Sequence, residues 1–435
     1  MSEYLQQIIK ENKSGNSVGI ASICSANNYV IESALLNAKK KDRYILIEST
    51  SNQVNQFGGY TGMKPEDFKN FVFKTAEALN FPLDKIILGG DHLGPNAWKD
   101  ETAADAMEKA KVQIEEYIKA GYSKIHLDAS MKLADDGDKN SQLDTEIVAD
   151  RAAQLCQTAE NTFKNLKNKN TKPLYIIGSD VPPPGGETEH SDVQITSPED
   201  VDKTIELTEK AFCTYGLKDT WNRVIAVVVQ PGVEFGNYEV FDYSSENAKS
   251  LIQKIREKEN LAYEAHSTDY QKRTSLKEMV ENNFAILKVG PWLTFSFREA
   301  VYALSKIEEE MLYLVKSIRS SSIFNIIEQQ MISNQKYWEK YYRGSEDEKF
   351  FDRKFSLSDR IRYYWTDKKV KESLQQLISN LSGNKIPLTL LSLYLPNQYV
   401  AVKEKEINNE PVEIIYNKIN EVLEIYNYAT FGGNL

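Results

Sequence analysis

One histidine of this chain stands in an unusual setting. The sequence holds four histidines among 435 residues, and residues 88–95 read LGGDHLGP. His92 thus lies beside Asp91, between glycines and ahead of a proline. A carboxylate can move protons, and a neutral imidazole can hold a divalent cation. The pair therefore predicts metal-assisted proton transfer, with Asp91 as the acid or base and His92 as a metal ligand.

A second histidine follows a similar apolar run. His266 stands in AYEAHST, near the end of a segment that reads as a buried strand. Because imidazole is a common ligand for a Lewis-acidic cation, we predict that His92 and His266 bind one zinc-like or manganese-like ion. The alternative is that each ring only hydrogen-bonds within its own loop. We interpret His126, in the middle of KIHLDAS, as structural and His190 as solvent-exposed.

These residues need a scaffold, and the pattern of the first 290 residues predicts one. Short runs rich in Ile and Val alternate with segments of helical periodicity, which is typical of parallel strands connected by helices. Eight such units predict a (β/α)8 barrel, with a doubly wound open sheet as the alternative. The predicted strands begin at Val18, Tyr44, Ile86, Lys124, Tyr175, Val224, Ala262 and Phe284.

The pattern changes near residue 300 to helices without strands. We therefore predict an α/β barrel over residues 1–320 and a helical C-terminal region over residues 321–435 that packs on it. REAVYALSKIEEEMLYLVKSI is interpreted as the last barrel helix, and MSEYLQQIIKENKSG as a short amphipathic helix.

Barrel enzymes place their reactive groups at the carboxyl ends of the strands. By this rule we assign acid–base roles to Asp180, Glu187 and Asp269 beside Asp91, and we add Gln230 and Asp180 to the metal ligands. The loops that follow these strands could bind a phosphate group, and the alternative is that they are ordinary turns. Substrate contacts are predicted for Ser49, Asn52, Gln53, Asp128, Ser130, Ser267 and Lys288.

Composition argues against several classes of function. The net charge is −10, so we expect no nucleic-acid partner. Cys24, Cys156 and Cys213 are odd in number and lack a CxxC pattern, which favours a reducing cytoplasm over a disulfide framework. No run of 18 uncharged apolar residues predicts a membrane span. Dinucleotide-binding and P-loop signatures are also missing.

Long and unusual stretches run through nearly the whole chain. They include LIESTSNQVNQFGGYTGM, ILGGDHLGPNAW, SKIHLDASM, VPPPGGE, YEAHSTDYQ and SLSDRIRYYW. On these stretches the chain resembles the Z-subunit family of tagatose-bisphosphate aldolase, found in galactitol and N-acetylgalactosamine catabolism. That family is similar to class II aldolases, in which a DH pair supplies a catalytic aspartate and a zinc-binding histidine. Asp91 and His92 match this pair, His266 matches a further ligand, and Gln230 replaces another histidine.

The resemblance implies a subunit of a class II D-tagatose-1,6-bisphosphate aldolase. Such subunits stabilise or activate a separate catalytic aldolase chain, which cleaves a ketose phosphate to glyceraldehyde 3-phosphate and dihydroxyacetone phosphate. The resemblance also allows a stand-alone, metal-dependent epimerase that acts at C4 of tagatose or fructose. A third hypothesis is a structural scaffold with a relic site. Assembly into a homo-oligomer is compatible with each of the three.

Overall fold

The predicted barrel is confirmed. The computed structural model of the protein describes residues 2–138, 142–167, 171–179, 193–312 and 319–431. Its strands are β1 Ile20–Cys24, β2 Ile45–Thr50, β3 Ile86–Leu93, β4 Lys124–Leu127, β5 Leu174–Gly178, β6 Val224–Val229, β7 Glu234–Phe235, β8 Val240–Phe241, β9 Ala262–Ala265 and β10 Phe284–Val289. Within the described residues, eight parallel strands close in the order β1, β10, β9, β6, β5, β4, β3, β2. The pair β7 and β8 forms a separate antiparallel hairpin.

Helices follow the barrel strands and continue beyond them. The helices are α1 Ser2–Lys13, α2 Asn28–Lys40, α3 Pro65–Ala78, α4 Ala103–Ala120, α5 Thr145–Asn165, α6 Pro198–Thr214, α7 Lys218–Trp221, α8 Lys249–Arg256, α9 Arg273–Glu281, α10 Pro291–Met311, α11 Ile323–Ser333, α12 Glu346–Phe355, α13 Lys368–Ser382, α14 Leu388–Tyr394, α15 Pro396–Lys403 and α16 Pro411–Thr430. None of the helices in these ranges has the length and hydropathy of a membrane span.

Apolar side chains fill the barrel where its strands begin. Ile20, Leu46 and Ile87 form one buried cluster, and α1 adds Leu5 and Ile9 to it. An amphipathic helix buries its apolar stripe, so α1 closes this end of the barrel. The reactive groups must therefore lie at the opposite end, where the strands finish.

The last helix joins the helical layer around the barrel. α16 packs against α2, α9 and α10 and also contacts β1. At the C-terminal end of α16, the backbone N–H of Gly19 donates to the Thr430 carbonyl oxygen at 2.8 Å, and Val18 pairs with Phe431. Residues 298–311 of the segment that we predicted as the last barrel helix lie in α10, directly after β10, and α16 lies beside it. Residues 313–318 of that segment lie outside the described residues. The division at residue 320 remains a prediction.

Residues 356–363, which we call the mouth segment, cross the carboxyl ends of the strands. The backbone N–H of Leu357 donates to the Asn237 carbonyl oxygen in the β7–β8 hairpin at 2.8 Å. Tyr270, in the loop after β9, donates to the Leu357 carbonyl oxygen at 2.6 Å. Thr294, at the start of α10, donates to Asp359 Oδ2 at 2.5 Å. The C-terminal region therefore forms part of the barrel mouth.

Candidate metal centre

The glycines of LGGDHLGP make room for neighbouring strands. A Cβ atom on Gly89 would lie 2.5 Å from Glu48 Oε1, and one on Gly94 would lie 1.7 Å from the Asp128 carbonyl oxygen. Both separations are too short for any side chain, so glycine is needed for β2 and the loop after β4 to approach β3 this closely.

A bulge in β3 brings Asp91 and His92 to the same side. The pairing register between β3 and β4 shifts between Gly90 and Leu93, and His92 has a φ of 47°. Neighbouring side chains of a regular strand face opposite sides of the sheet, but a bulge redirects one of them. As a result, Asp91 Oδ2 and His92 Nε2 lie 3.8 Å apart at the barrel mouth.

Asp91 is a buried carboxylate held among cations and rings. Its Oδ1 atom lies 2.6 Å from Lys288 Nζ and 2.9 Å from His126 Nδ1. Burial alone would raise the pKa of Asp91, but the charges of His92 and Lys288 outweigh burial and hold this pKa well below its usual value. Asp91 is therefore ionised.

Carboxylates orient the rings of His92 and His266. His92 Nδ1 lies 2.7 Å from Asp128 Oδ2, and His266 Nε2 lies 3.1 Å from Glu264 Oε1. The centroids of the two histidine rings are 4.8 Å apart. A carboxylate on one ring nitrogen, with the other nitrogen turned to a shared space, is the arrangement that proteins use for metal-binding histidines.

The two rings differ in charge. Burial lowers the pKa of His92, but Asp91 and the hydrogen bond to Asp128 outweigh this effect and raise it to about 9. Burial lowers the pKa of His266 to about 3 despite the hydrogen bond to Glu264. His266 is therefore a neutral imidazole, the form that coordinates a metal, whereas His92 must release a proton before it can bind one.

This group of side chains fits a divalent ion. Asp91, His92, His126 and His266 each offer one ligand atom, and these atoms all lie within 4.8 Å of one another. His266 Nδ1 is buried and has no hydrogen-bond partner among the described residues. Buried polar atoms normally have a partner, so a bound ion would satisfy this nitrogen. Several imidazole nitrogens with one carboxylate are a ligand set typical of zinc and related transition metals.

His126, which we interpreted as structural, lies within this group of side chains, and both of its ring nitrogens have hydrogen-bond partners. Its Nε2 atom lies 2.8 Å from the Gly178 carbonyl oxygen, so Nε2 carries a proton and donates it. Its Nδ1 atom lies near Asp91 Oδ1 and also 3.2 Å from the backbone N–H of His92. The alternation in KIHLDAS could have predicted the position of His126. Lys124, His126 and Asp128 are two residues apart and therefore share the inner face.

A layer of buried charges supports the centre from below. Lys124 Nζ lies 2.6 Å from Glu48 Oε1 and 2.7 Å from Glu264 Oε2, and all three side chains have no exposed surface. Lys288 also contacts Glu48 and lies 3.4 Å from Glu264 Oε1. Burial would raise the pKa of Glu264, but the two lysines hold it well below its usual value. Glu264 therefore stays anionic and can orient His266. Sequence reasoning gave Lys124 no role.

Several predicted substrate contacts have other partners. Ser49 Oγ lies 3.1 Å from Tyr117 OH, and Gln53 Oε1 accepts a hydrogen bond from the Thr50 backbone. Asn52 is exposed. Ser267 and Ser130 donate to Glu234 and Asp128, respectively.

Two further predicted residues, Gln230 and Asp269, also have partners outside the centre. Gln230 Oε1 accepts hydrogen bonds from the backbone N–H groups of Gly232 and Val233 at 2.8 and 2.9 Å, and Asp269 Oδ1 accepts those of Gly290 and Trp292. The structure thus unites Asp91, His92, Asp128, His266 and Lys288. Asp180, Glu187 and His190 lie outside the described residues.

Comparison with known proteins extends the likeness over the whole chain. The chain is 48% identical to a protein named D-tagatose-1,6-bisphosphate aldolase subunit GatZ from Klebsiella pneumoniae, covering 98% of this chain and 99% of that protein. A protein of the same name from Escherichia coli O6:K15:H31 is 47% identical over the same shares.

A solved structure agrees in fold. It is described as a probable tagatose 6 phosphate kinase from Sinorhizobium meliloti 1021 and superposes with a TM-score of 0.86 at 42% identity. The match covers 94% of this chain and 100% of that one. The family described as D-tagatose-1,6-bisphosphate aldolase subunit GatZ/KbaZ-like matches residues 5–431. This chain is therefore a member of the GatZ/KbaZ-like family of D-tagatose-1,6-bisphosphate aldolase subunits.

Proposed function

We propose that this chain is a subunit of a class II D-tagatose-1,6-bisphosphate aldolase in carbohydrate catabolism. The names of its relatives support this assignment over nearly the full length. The observation that carries the chemistry is the pair of carboxylate-held imidazoles, His92 and His266, that face Asp91. A partner chain that carries the main catalytic activity is part of the proposal, because the relatives are named as subunits.

The proposed ion is zinc or a manganese-like metal held by His92 and His266, with Asp91 and His126 beside them. When bound, it would polarise the C2 carbonyl of a ketose and stabilise negative charge on that oxygen.

Asp91 is placed to handle the proton of aldol cleavage. In that reaction the C3–C4 bond breaks, its electron pair passes to C3 and the C2 carbonyl, and the C4 hydroxyl loses its proton to a base. Asp91 is the base in this proposal, and His126 Nδ1, 2.9 Å from Oδ1, is the neighbour that can share the proton. The same groups could remove a proton from C4, which is the chemistry of the alternative epimerase.

A cytoplasmic location belongs to the same proposal. Cys24, Cys156 and Cys213 are all free thiols. Free thiols persist in reducing compartments, whereas secreted proteins commonly pair them.

The metal content of the purified chain tests the site. We expect about one divalent ion per chain, and its loss in His266→Ala, because this ring supplies a nitrogen without another partner. Gln230→Ala is the matched comparison, because the side-chain oxygen of Gln230 already accepts hydrogen bonds from the backbone of Gly232 and Val233. A metal-free wild-type chain from metal-supplemented cells would refute the site, and loss of the ion in Gln230→Ala would return the amide to the ligand set.

Activity measurements test the role. Adding the chain to its cognate catalytic aldolase should raise the rate of tagatose 1,6-bisphosphate cleavage or the lifetime of that enzyme. A catalytic chain that performs identically alone would contradict the subunit role. Interconversion of tagatose and fructose, or of their phosphates, by the metal-loaded chain alone would favour the epimerase instead.

A further inference from the structure

Arg362 lies in the mouth segment, and its hydrogen-bond acceptors among the described residues are neutral groups. Its Nη1 atom donates to the carbonyl oxygens of Ser358 and Asp359, the latter at 3.1 Å, and its Nη2 atom donates to Tyr363 OH at 3.0 Å. A guanidinium group has five N–H donors. These three contacts leave two of the five donors for a further partner.

Two buried arginines near Arg362 are paired with carboxylates. Arg298 lies 3.1 Å from Asp359 Oδ1, and Arg353 lies 2.6 Å from Glu328 Oε1. In the described part of the chain, Arg362 forms no ion pair with a carboxylate. The carboxylate of the neighbouring Asp359 is already paired with Arg298. A shielded cation without an anion is costly, and this cost is removed if an anion arrives from outside.

Arg362 lies near two loops at the carboxyl ends of the barrel strands. The next residue, Tyr363, packs edge-on against Tyr60, with ring centroids 4.8 Å apart. Tyr60 lies in the loop after β2, the strand that carries Glu48 toward the centre. On the other side, the charge of Arg362 lowers the pKa of Asp269, in the loop after β9, against the larger effect of burial. The guanidinium is therefore close to loops on two sides of the mouth.

We propose that Arg362 binds the phosphoryl group of a phosphorylated ketose whose carbonyl end lies at the metal centre. The remaining donors of the guanidinium group suit phosphoryl oxygens, and such charge-assisted pairs are strong and directional. This inference rests on the proposed function for the identity of the sugar. It makes Arg362 a residue that selects phosphorylated over neutral sugars, and it gives the C-terminal region a part in substrate binding.

The test compares Arg362→Gln and Arg362→Lys with wild type in the full-length, metal-loaded chain. The dissociation constants of inorganic phosphate, tagatose 1,6-bisphosphate and tagatose are measured by calorimetry, after circular dichroism has verified folding. We expect Arg362→Gln to weaken both phosphate-bearing ligands about tenfold or more, because a charge-assisted hydrogen bond is lost. Binding of tagatose should not change. Arg362→Lys should give an intermediate loss, because lysine keeps the charge without the fork.

Arg353→Gln is the matched control, since it removes a shielded arginine of the same region whose partner is Glu328. It should leave phosphate affinity unchanged. The proposal is overturned if Arg362→Gln binds tagatose 1,6-bisphosphate as tightly as wild type does. It is also overturned if the affinity for tagatose falls by the same factor as the affinity for the bisphosphate. A ketohexuronate that outcompetes the bisphosphate would show a carboxylate site instead and would also overturn it.

The two proposals can fail separately. If inorganic phosphate binds through Arg362 while the chain has no effect on its cognate aldolase, the anion site stands and the subunit role fails. If the chain activates the aldolase but binds phosphate independently of Arg362, the subunit role stands and the anion site fails.

Discussion

Lys124 lies between Glu48 and Glu264 at the centre of the barrel, and its charge supports the orientation of His266. The two glutamates are tolerable in the interior only because lysines neutralise them. Glu264 in turn holds one nitrogen of His266, so the other nitrogen is directed to the metal centre. A residue without direct contact to the proposed ion thus prepares one of its ligands.

Substituting Lys124→Met should show the strength of this layer. The change leaves two buried carboxylates with one lysine fewer, so we expect the free energy of unfolding to fall by about 3 to 5 kcal/mol. Lys109→Met removes a pair of similar geometry, 2.5 Å from Glu101, whose side chains are 36% and 37% exposed. It should cost at most about 1 kcal/mol. Equal losses in chemical denaturation would contradict this account.

Asp269 provides a prediction about pH. Burial raises its pKa from 3.8 to about 6. The folded chain therefore binds more protons than the unfolded chain between these values, so this contribution to stability is complete below the lower value and is lost as the pH rises through about 6. From pH 5 to pH 7, wild type should lose about 1 kcal/mol relative to Asp269→Asn, which keeps an acceptor for Gly290 and Trp292. Urea denaturation at both pH values measures this, and an unchanged difference would contradict it.

At the scale of elements, β3 owes its geometry to small residues and a bulge. Without Gly89, Glu48 could not occupy the interior, and without the left-handed His92, the aspartate and the imidazole would face opposite sides of the sheet. The strand therefore combines close packing with an irregularity that serves the site.

Gly89→Ala tests the packing of β3. The new methyl group would overlap Glu48 Oε1, so we expect a loss of about 1 to 3 kcal/mol in unfolding free energy. Gly236→Ala is the control, because a Cβ atom there meets no atom within 4 Å. It should change stability by less than about 0.5 kcal/mol. If both variants unfold at the same denaturant concentration, the proposed close packing is wrong.

The barrel strands were predictable because strands buried on both faces read as continuous apolar runs. Asp91, His92 and His266 were predictable from their places at strand ends. His126 and Lys124 were missed because they lie inside a strand, where alternation identifies the inner face only once a closed barrel is assumed. The position of α16 could not be predicted, since an amphipathic stripe shows that a helix packs but not against which neighbour.

At the scale of the whole molecule, the barrel and the C-terminal helices share one structure. α16 completes the helical layer beside β1, and the mouth segment crosses the opening. Stability, and in our proposal phosphate binding, therefore depend on residues distant in sequence from the strands.

Ile419→Ala tests the contribution of α16. Ile419 has no exposed surface, so the cavity should cost about 2 to 5 kcal/mol. Val400→Ala, at a position 48% exposed on α15, should cost little. We expect Ile419→Ala to lower the unfolding midpoint of the barrel in one transition. A separate early transition that leaves the barrel midpoint unchanged would show that α16 is an independent unit.

The place of α16 also affects how the protein is made. The face of α2 that carries Ser33 and Asn37 emerges from the ribosome early, but its partners Tyr416 and Asn420 are translated only after almost all of the other helices. Until then, a nascent chain holds an incomplete wall with uncovered apolar surface, a state that attracts chaperones and favours aggregation. Protease resistance of the earliest strands should therefore arise late, after the final helix has been released.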